Sequence, residues 1–200
     1  MKKLSTREFV LIALLVAILI VLGYVNIPQP AGLSITFNMI PVAIAAIAIG
    51  PAGGAILGGA FGIISFLQCF GICGFSGMGA TLAAINPLLA FVQRFFPRLI
   101  DGLLLGFIYR FVKRKLNAYA GCAVTGFMAA FLNTLLFMTS LVWIFGGTEY
   151  MQNSMAGRGM LTYIVAAVGV NGVVEMIVST LLTGAIGAAL HKSGFLRDSQ

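Results

Sequence analysis

The sequence predicts an all-α integral membrane protein of six transmembrane helices in a compact bundle. Of its 200 residues, 60% are hydrophobic and only 8% are charged, whereas a soluble domain carries about 25% charged residues. The mean hydropathy is +1.06. Because a spanning helix needs about 20 apolar residues, a chain of this length has room for about six spans and for no sizeable soluble domain.

Six apolar segments separated by turn-forming connectors define the predicted spans of this single domain. The second segment is short and ends at Gly50-Pro51. The fourth contains Pro97, where we expect the helix to kink or to start afresh, because proline lacks an N–H and clashes with the preceding turn. The predicted boundaries are 8–25, 38–49, 52–70, 87–112, 118–145 and 161–190.

The basic residues predict the orientation of the bundle. The chain has 12 Lys and Arg against 5 Asp and Glu, but most of these cations flank predicted spans and do not form a nucleic-acid-binding patch. Cytoplasmic connectors of membrane proteins carry the excess of Lys and Arg, which predicts cytoplasmic N- and C-termini and leaves only Arg158 outside. The cations placed inside are Lys2, Lys3, Arg7, Arg110, Lys113, Arg114, Lys115, Lys192 and Arg197.

Small residues recur at helical spacing in the first, third and fourth predicted spans, the fourth through Gly102 and Gly106. Gly50, Gly54, Gly58 and Gly62 form a stripe on the third span, and such stripes let helix backbones approach closely. We interpret the glycines as packing sites within the bundle. Ala13 and Ala17 in LIALLVAIL (11–19) also lie four residues apart, so they form a shallow groove on one face. That groove suits either a partner helix or internal packing.

Polar residues inside the predicted spans are candidates for a binding site. Charged side chains are costly in hydrocarbon and usually face a cavity, a partner or a pathway. Two structural alternatives remain open: Arg98 and Asp101 neutralise each other, and Glu175 pairs with a neighbouring helix. We favour a small, wet cavity in the outer half of the bundle. Its candidate substrate-binding residues are Asn38, Arg94, Arg98, Asn133, Asn171 and Glu175.

Catalytic and metal-binding signatures are missing from the sequence. It contains no H-E-x-x-H, G-x-S-x-G or phosphate-loop motif, and we expect neither an enzyme nor a bound cofactor. Cys69 and Cys73 have no second cysteine pair or nearby histidine to complete a metal site. We interpret them as structural thiols, with a disulfide as the alternative. Transport against a gradient would therefore draw energy from an ion gradient or from other subunits.

The order of several segments resembles the substrate-binding S components of energy-coupling factor (ECF) transporters, which are prokaryotic vitamin importers. The resemblance covers nearly the whole chain and implies a multi-pass protein of the cell membrane. It also implies that the protein captures a vitamin outside and docks on a transmembrane T component and two ATPases, with Ala13 and Ala17 touching the T component. The segments are ALLVA (13–17), FNMIPVAIAAIAIGPAGGAILGGAFGIISF (37–66), FPRLIDGLLLGFIYRFVKRK (96–115) and VNGVVEMIVSTLLTGAI (170–186).

Within this family, the fourth and sixth segments look most like the group that includes pantothenate carriers. An arginine suits the carboxylate of pantothenate because a guanidinium binds it with two parallel hydrogen bonds. Asn133, Asn171 and Glu175 could take the amide and hydroxyl groups. Pyridoxine, hydroxymethylpyrimidine, folate and riboflavin are alternative substrates. A stand-alone ion-coupled transporter, with Asp101 or Glu175 as the relay, is the alternative function, although no internal repeat typical of such proteins is present.

Overall fold

The computed structural model describes residues 5–25, 27–28, 34–157 and 159–194, and these residues are almost entirely helical. A two-residue antiparallel pair, with Ile27 opposite Ile35, interrupts the helices. In chain order the elements are α1 (Thr6–Tyr24), β1 (Ile27–Pro28), β2 (Ser34–Ile35), α2 (Met39–Ile49), α3 (Pro51–Leu67), a 3-10 turn (Gln68–Phe70), α4 (Gly77–Ile85), α5 (Pro87–Lys115), α6 (Ala118–Phe145), α7 (Glu149–Met155) and α8 (Met160–Lys192).

Four helical segments in the described part of the chain are long and apolar enough to cross a membrane. They are Thr6–Tyr24, Pro51–Phe70, Ala118–Phe145 and Gly172–Lys192. The prediction of an all-helical, multi-pass membrane protein is therefore confirmed at this level. Lys2, Lys3, Arg158 and Arg197, which support the predicted orientation, lie outside the described residues.

The two remaining predicted spans also form helices, but one is short and the other carries charged side chains. The segment predicted at 38–49 is α2, whose 11 residues extend about 16 Å at 1.5 Å per residue, roughly half the hydrocarbon thickness. The segment predicted at 87–112 is α5, which has 29 residues. Its length is sufficient for a span, but its charged side chains distinguish it from the four apolar segments.

Proline and glycine have different effects on two of the long helices. Of the two alternatives expected at Pro97, a kink or a fresh start, the fresh start does not occur, since α5 continues through this residue. The backbone of α5 packs against α3 on both sides of the proline, at Phe95 and Arg98. The break occurs instead in α8, where Gly169 has φ 38° and ψ −136°, a backbone conformation that glycine adopts without steric cost.

Local sequence signals set the ends of several helices. Ser5 and Glu8 form a reciprocal capping box at the start of α1, which satisfies two backbone donors that the first turn leaves free. Asn86 accepts hydrogen bonds from the amides of Leu88 and Leu89 and so caps α5. Gly50, with φ 91°, separates α2 from Pro51 at the first turn of α3. The turn at Gly50 and Pro51 therefore makes α2 and α3 a helical hairpin.

The glycine stripe of α3 packs against the backbone of α5. A β-carbon at Gly54 would overlap the main-chain oxygen of Gly102, and one at Gly58 would overlap that of Arg98. At Gly62 the neighbour is Phe95. Because the partner number falls as the glycine number rises, the two helices run antiparallel. The stripe is therefore a site of packing within the chain, as the sequence indicated.

Helix α2 lies at the centre of the bundle. All ten of its residues from Met39 to Ala48 are buried, and it contacts α1, α3, α5, α6 and α8. Helices α6 and α8 pack closely beside it, with Gly126 against the main chain of Ser179. By contrast, Trp143 on the outer face of α6 is 85% exposed. The apolar outer faces suit contact with lipid.

We expect Gly58→Ala to destabilise the protein, because its methyl group would overlap the backbone of α5. Overpacking of this kind costs about 1–3 kcal/mol of unfolding free energy. Thermal unfolding in detergent, monitored by the monodisperse fraction, measures the effect.

Gly59→Ala is the matched control, since its β-carbon would lie 3.6 Å from the nearest side-chain atom, on Phe95. This change should be neutral or slightly stabilising, because alanine favours helix over glycine by about 1 kcal/mol. Equal destabilisation by both variants would contradict the packing interpretation.

Candidate functional site

Two arginines on α5 are the most deeply buried cations in the described part of the chain. Arg94 and Arg98 are 4% and 6% exposed, and their spacing of four places them on one face of the helix. The Nη1 of Arg98 donates to the main-chain oxygen of Arg94 at 2.8 Å. The two predicted substrate-binding arginines are therefore neighbours.

Arg94 is held by hydroxyl groups from two other segments. Its Nη1 donates to the Oγ of Ser65 at 2.9 Å and to the main-chain oxygen of Ser65 at 3.2 Å. Its Nη2 donates to the Oγ of Ser76 at 3.0 Å. The guanidinium of Arg94 thus joins α5 to the end of α3 and to the start of α4.

Arg98 lies between aromatic rings and has few polar partners. The carbon at the centre of its guanidinium is 4.6 Å from the ring centre of Phe61 and 4.8 Å from that of Phe137. Cation–π contacts of this kind stabilise a desolvated cation. Its Nε is buried without a hydrogen-bond partner. The Nε of Arg94 is also unpaired, but both Nη atoms of Arg94 donate to the serines, whereas Arg98 donates only to the main-chain oxygen of Arg94 among the described residues.

Asp101 is fully buried one turn beyond Arg98. Neither of its carboxylate oxygens has a hydrogen-bond partner among the described residues. Arg98 and Asp101 therefore form no direct hydrogen bond, and their mutual neutralisation over a longer distance stays a prediction.

Buried amides add unpaired acceptors to the polar interior. The Oδ1 atoms of Asn38 and Asn133 are buried and have no partner within the residues described, and the same holds for the Oε1 of Gln93. Buried polar atoms are usually paired, so these acceptors are available to a polar ligand. The sequence analysis did not select Gln93, although an amide directly before Arg94 in an apolar helix is a detectable signal.

Glu175 lies in a second part of the polar interior. Its Oε1 accepts a hydrogen bond from the backbone amide of Thr36 at 2.7 Å. Beside it is a cavity of about 10 Å³, enough for about one water molecule. The cavity walls include Glu175 and Ser179 but neither arginine; they are formed by Thr36, Phe37, Met39, Ile40, Ala130, Glu175 and Ser179.

The predicted site residues therefore fall into groups. Arg94 and Arg98 are in direct contact, whereas Glu175 contacts the connector that precedes α2. Asn38 follows a residue of the cavity wall directly in sequence and is itself buried. Asn171 belongs to α8, but its side chain lies outside the described residues.

The alanine groove of α1 faces outward. Ala13 and Ala17 are both exposed, whereas Ile12, Leu15, Leu19 and Gly23 form the buried face of the helix. Internal packing, one of the two interpretations of this motif, is therefore not its use in this structure. The groove is open to lipid or to another helix.

The cysteines of the described residues form no disulfide and belong to no metal-binding cluster. Cys69, Cys73 and Cys122 are free thiols, and the Sγ of Cys69 donates to the main-chain oxygen of Ser65 at 3.7 Å. Across residues 5–25, 27–28, 34–157 and 159–194, no group of three His, Cys, Asp or Glu side chains is placed to hold a metal ion.

Apolar spanning helices around buried arginines and amides define a multi-pass membrane protein with a polar interior suited to a small polar solute. The chain belongs to the family of ECF transporter substrate-specific components, whose sequence pattern it matches over residues 7–187. It is similar to the pantothenate transporter PanT of Leuconostoc mesenteroides subsp. mesenteroides, with 30% identity over 92% of this chain and 89% of that protein. It is also similar to the pantothenic acid transporter PanT of Lactococcus lactis subsp. cremoris, with 29% identity over 96% of this chain and 98% of that protein.

We expect the two arginines to differ in their contribution to stability. Arg94→Met removes three hydrogen bonds and leaves the buried hydroxyl of Ser65 without its donor, so it should cost about 1–3 kcal/mol of unfolding free energy. Arg98→Met should cost less, since it removes one hydrogen bond and a desolvated charge. Unfolding of both variants without substrate measures the difference, and equal losses would contradict the structural role assigned to Arg94.

Proposed function

We propose that this protein is the substrate-capture subunit of an ECF-type importer in the cell membrane of a prokaryote, and that its substrate is pantothenate. The family supplies the class of protein, and the names of two relatives that align over nearly their full lengths support the substrate. Pantothenate has one carboxylate, one amide and two hydroxyls. The observation that carries the proposal is the buried guanidinium of Arg98, which has an unpaired Nε donor.

In this proposal Arg98 binds the carboxylate of pantothenate. A carboxylate beside two buried guanidinium groups would offset their charge, and charge-assisted hydrogen bonds are about twice as strong as neutral ones. Arg94 is committed to Ser65 and Ser76, so its role is to supply positive charge and to hold Arg98 in place. Asn38, Asn133 and Asn171 are proposed to contact the amide and hydroxyl groups.

Glu175 is proposed to bind a substrate hydroxyl after the connector before α2 moves. Binding pockets for small molecules have volumes of about 300–1,000 Å³, far above the cavity of about 10 Å³ beside Glu175. We therefore propose that the cavity beside Glu175 widens when pantothenate enters. Breaking the hydrogen bond between Thr36 and Glu175 would release a carboxylate oxygen to accept from the hydroxyl.

Transport is proposed to require a T component and two ATPases. The sequence contains no phosphate-loop motif with which this chain could bind and hydrolyse ATP. The outward-facing groove at Ala13 and Ala17 is a suitable surface for a helix of the T component, because small residues allow close helix contact in a membrane. We propose six spans, with α2 and α5 completing the four apolar segments, and cytoplasmic termini.

In this proposal the affinity for pantothenate depends on Arg98. Arg98→Ala should weaken pantothenate binding by about 2–5 kcal/mol, the range for truncating one partner of a buried charge pair. This corresponds to a Kd about 30-fold to several-thousand-fold higher. Arg98→Lys should recover only part of the loss, because an ammonium keeps the charge but not the two-pronged geometry.

Isothermal titration of folded, monodisperse protein tests this assignment, with riboflavin and pyridoxine as ligand controls. Asp101→Asn is the matched variant, since it changes a neighbouring buried charge without removing the proposed anchor. Wild-type affinity in Arg98→Ala would exclude Arg98 as the anchor. Wild-type protein that binds another vitamin and not pantothenate would exclude the substrate.

In this proposal uptake depends on docking of the T component at the alanine groove. Ala13→Trp or Ala17→Trp should abolish uptake of labelled pantothenate in cells, because the indole fills the groove, while calorimetry of the purified variant shows unchanged binding. Leu14→Trp is the control, since it replaces one large exposed side chain of α1 by another. Loss of binding together with uptake would assign the alanines to the substrate site.

The topology prediction concerns the connector that contains α7. In a background lacking the three native cysteines, Ser154→Cys should react with a membrane-impermeant thiol reagent in intact cells, because Ser154 is exposed and α7 lies outside in the proposed topology. Labelling of Ser154→Cys only after lysis would reverse the orientation.

A further inference from the structure

The outer end of α1 is held to the turn that follows α3. A β-carbon at Gly23 would overlap the main-chain oxygen of Cys73, and one at Gly74 would overlap that of Gly23. The two backbones therefore lie in direct contact. Cys73 has a positive φ of 59°, which is uncommon for a residue other than glycine, so the turn has a defined and strained shape.

The side chain of Gln68 joins these two backbones. Its Nε2 donates to the main-chain oxygen of Gly23 at 3.3 Å and to that of Cys73 at 3.1 Å. The residue is 6% exposed. One buried carboxamide thus uses both of its N–H donors to fix the last turn of α1 against the turn at 71–76.

The same glutamine connects to the arginine pair through its main chain. The oxygen of Gln68 accepts from the amide of Ser76 at 3.0 Å, and the Oγ of Ser76 accepts from Arg94. The main-chain oxygen of Arg94 in turn accepts from Arg98. A continuous series of hydrogen bonds therefore leads from Arg98 to the end of α1.

We infer that Gln68 is a positioning residue that links the occupancy of the arginine site to the outer end of α1. The inference rests on the proposed function, in which Arg98 binds a carboxylate and α1 carries the docking groove. A carboxylate that fixes Arg98 and Arg94 would order Ser76, the turn and then α1. When binding at one site orders residues that binding at a second site also orders, each binding event strengthens the other.

Hydrogen–deuterium exchange of the purified full-length protein, with and without saturating pantothenate, tests this inference. In the wild type, pantothenate should slow exchange at the end of α1, where the amide of Val25 donates to Leu22, and also at 72–76. Typical allosteric coupling predicts a slowing of about fivefold or more. In Gln68→Met, slowing should persist at 72–76 and disappear at the end of α1.

Gln152→Met is the matched control. Gln152 is also a glutamine whose Nε2 donates to a main-chain oxygen, that of Gly146 at 2.6 Å, but it belongs to α7 and not to the proposed site, so the response of α1 should be retained. Gln68→Asn serves if Gln68→Met does not fold, because it keeps a carboxamide that is one methylene too short to reach Gly23. A purely structural role would change the exchange of α1 equally with and without pantothenate.

The outcomes separate the inference from the proposed function. If calorimetry detects pantothenate binding but the end of α1 does not respond in the wild type, the inference is overturned and the substrate stands. The inference is also overturned, and the substrate stands, if pantothenate slows exchange at the end of α1 equally in wild type and Gln68→Met. If the wild-type protein does not bind pantothenate, the proposed substrate is overturned together with the inference that depends on it.

Discussion

The antiparallel contact between α3 and α5 is the constraint on which the rest of the structure depends. Glycines on α3 allow its backbone to touch the carbonyls of α5, and Gly58 lies against Arg98 itself. The same contact fixes Arg94 beside Ser65, near the end of α3. With larger residues in the stripe the helices would separate, and both guanidinium groups would lose the neighbours that make their burial tolerable. The packing of the α3 glycines therefore sets the positions of Arg94 and Arg98.

The arginines illustrate two ways of keeping a cation out of water. Arg94 exchanges its hydration for hydroxyl and carbonyl oxygens, so its partners are all within the protein. Arg98 exchanges its hydration mainly for the faces of Phe61 and Phe137, which stabilise charge without using its donors. An isolated buried charge is expensive, and both arginines keep an unpaired Nε. Phe137 lies near both guanidinium groups, but it is closer to Arg98, at 4.8 Å, than to Arg94, at 5.8 Å. The two arginines therefore differ mainly in their hydrogen bonds to the serines, which Arg94 makes and Arg98 does not.

Sequence reasoning reached the helical, membrane-spanning class because composition and apolar run length report directly on the surrounding solvent. It also reached the glycine seam, since residues four apart share a face. It left open whether the helix kinks or starts afresh at Pro97, and it did not reach the break at Gly169, because glycine is common in membrane helices. Ser65, Gln68 and Ser76 were missed for a related reason. Such residues are ordinary in helices and caps, and only the fold reveals that they bond to Arg94 and to α1.

The shortness of α2 has a consequence for the assembly of the protein in the membrane. An apolar run of 11 residues is too short to be held by lipid as a separate span, yet α2 is buried on all sides in the finished bundle. Only Gly50 separates it from α3. We therefore expect α2 to enter the membrane together with α3 as one helical hairpin. Helices α5, α6 and α8 are synthesised later, and their packing completes the burial of α2.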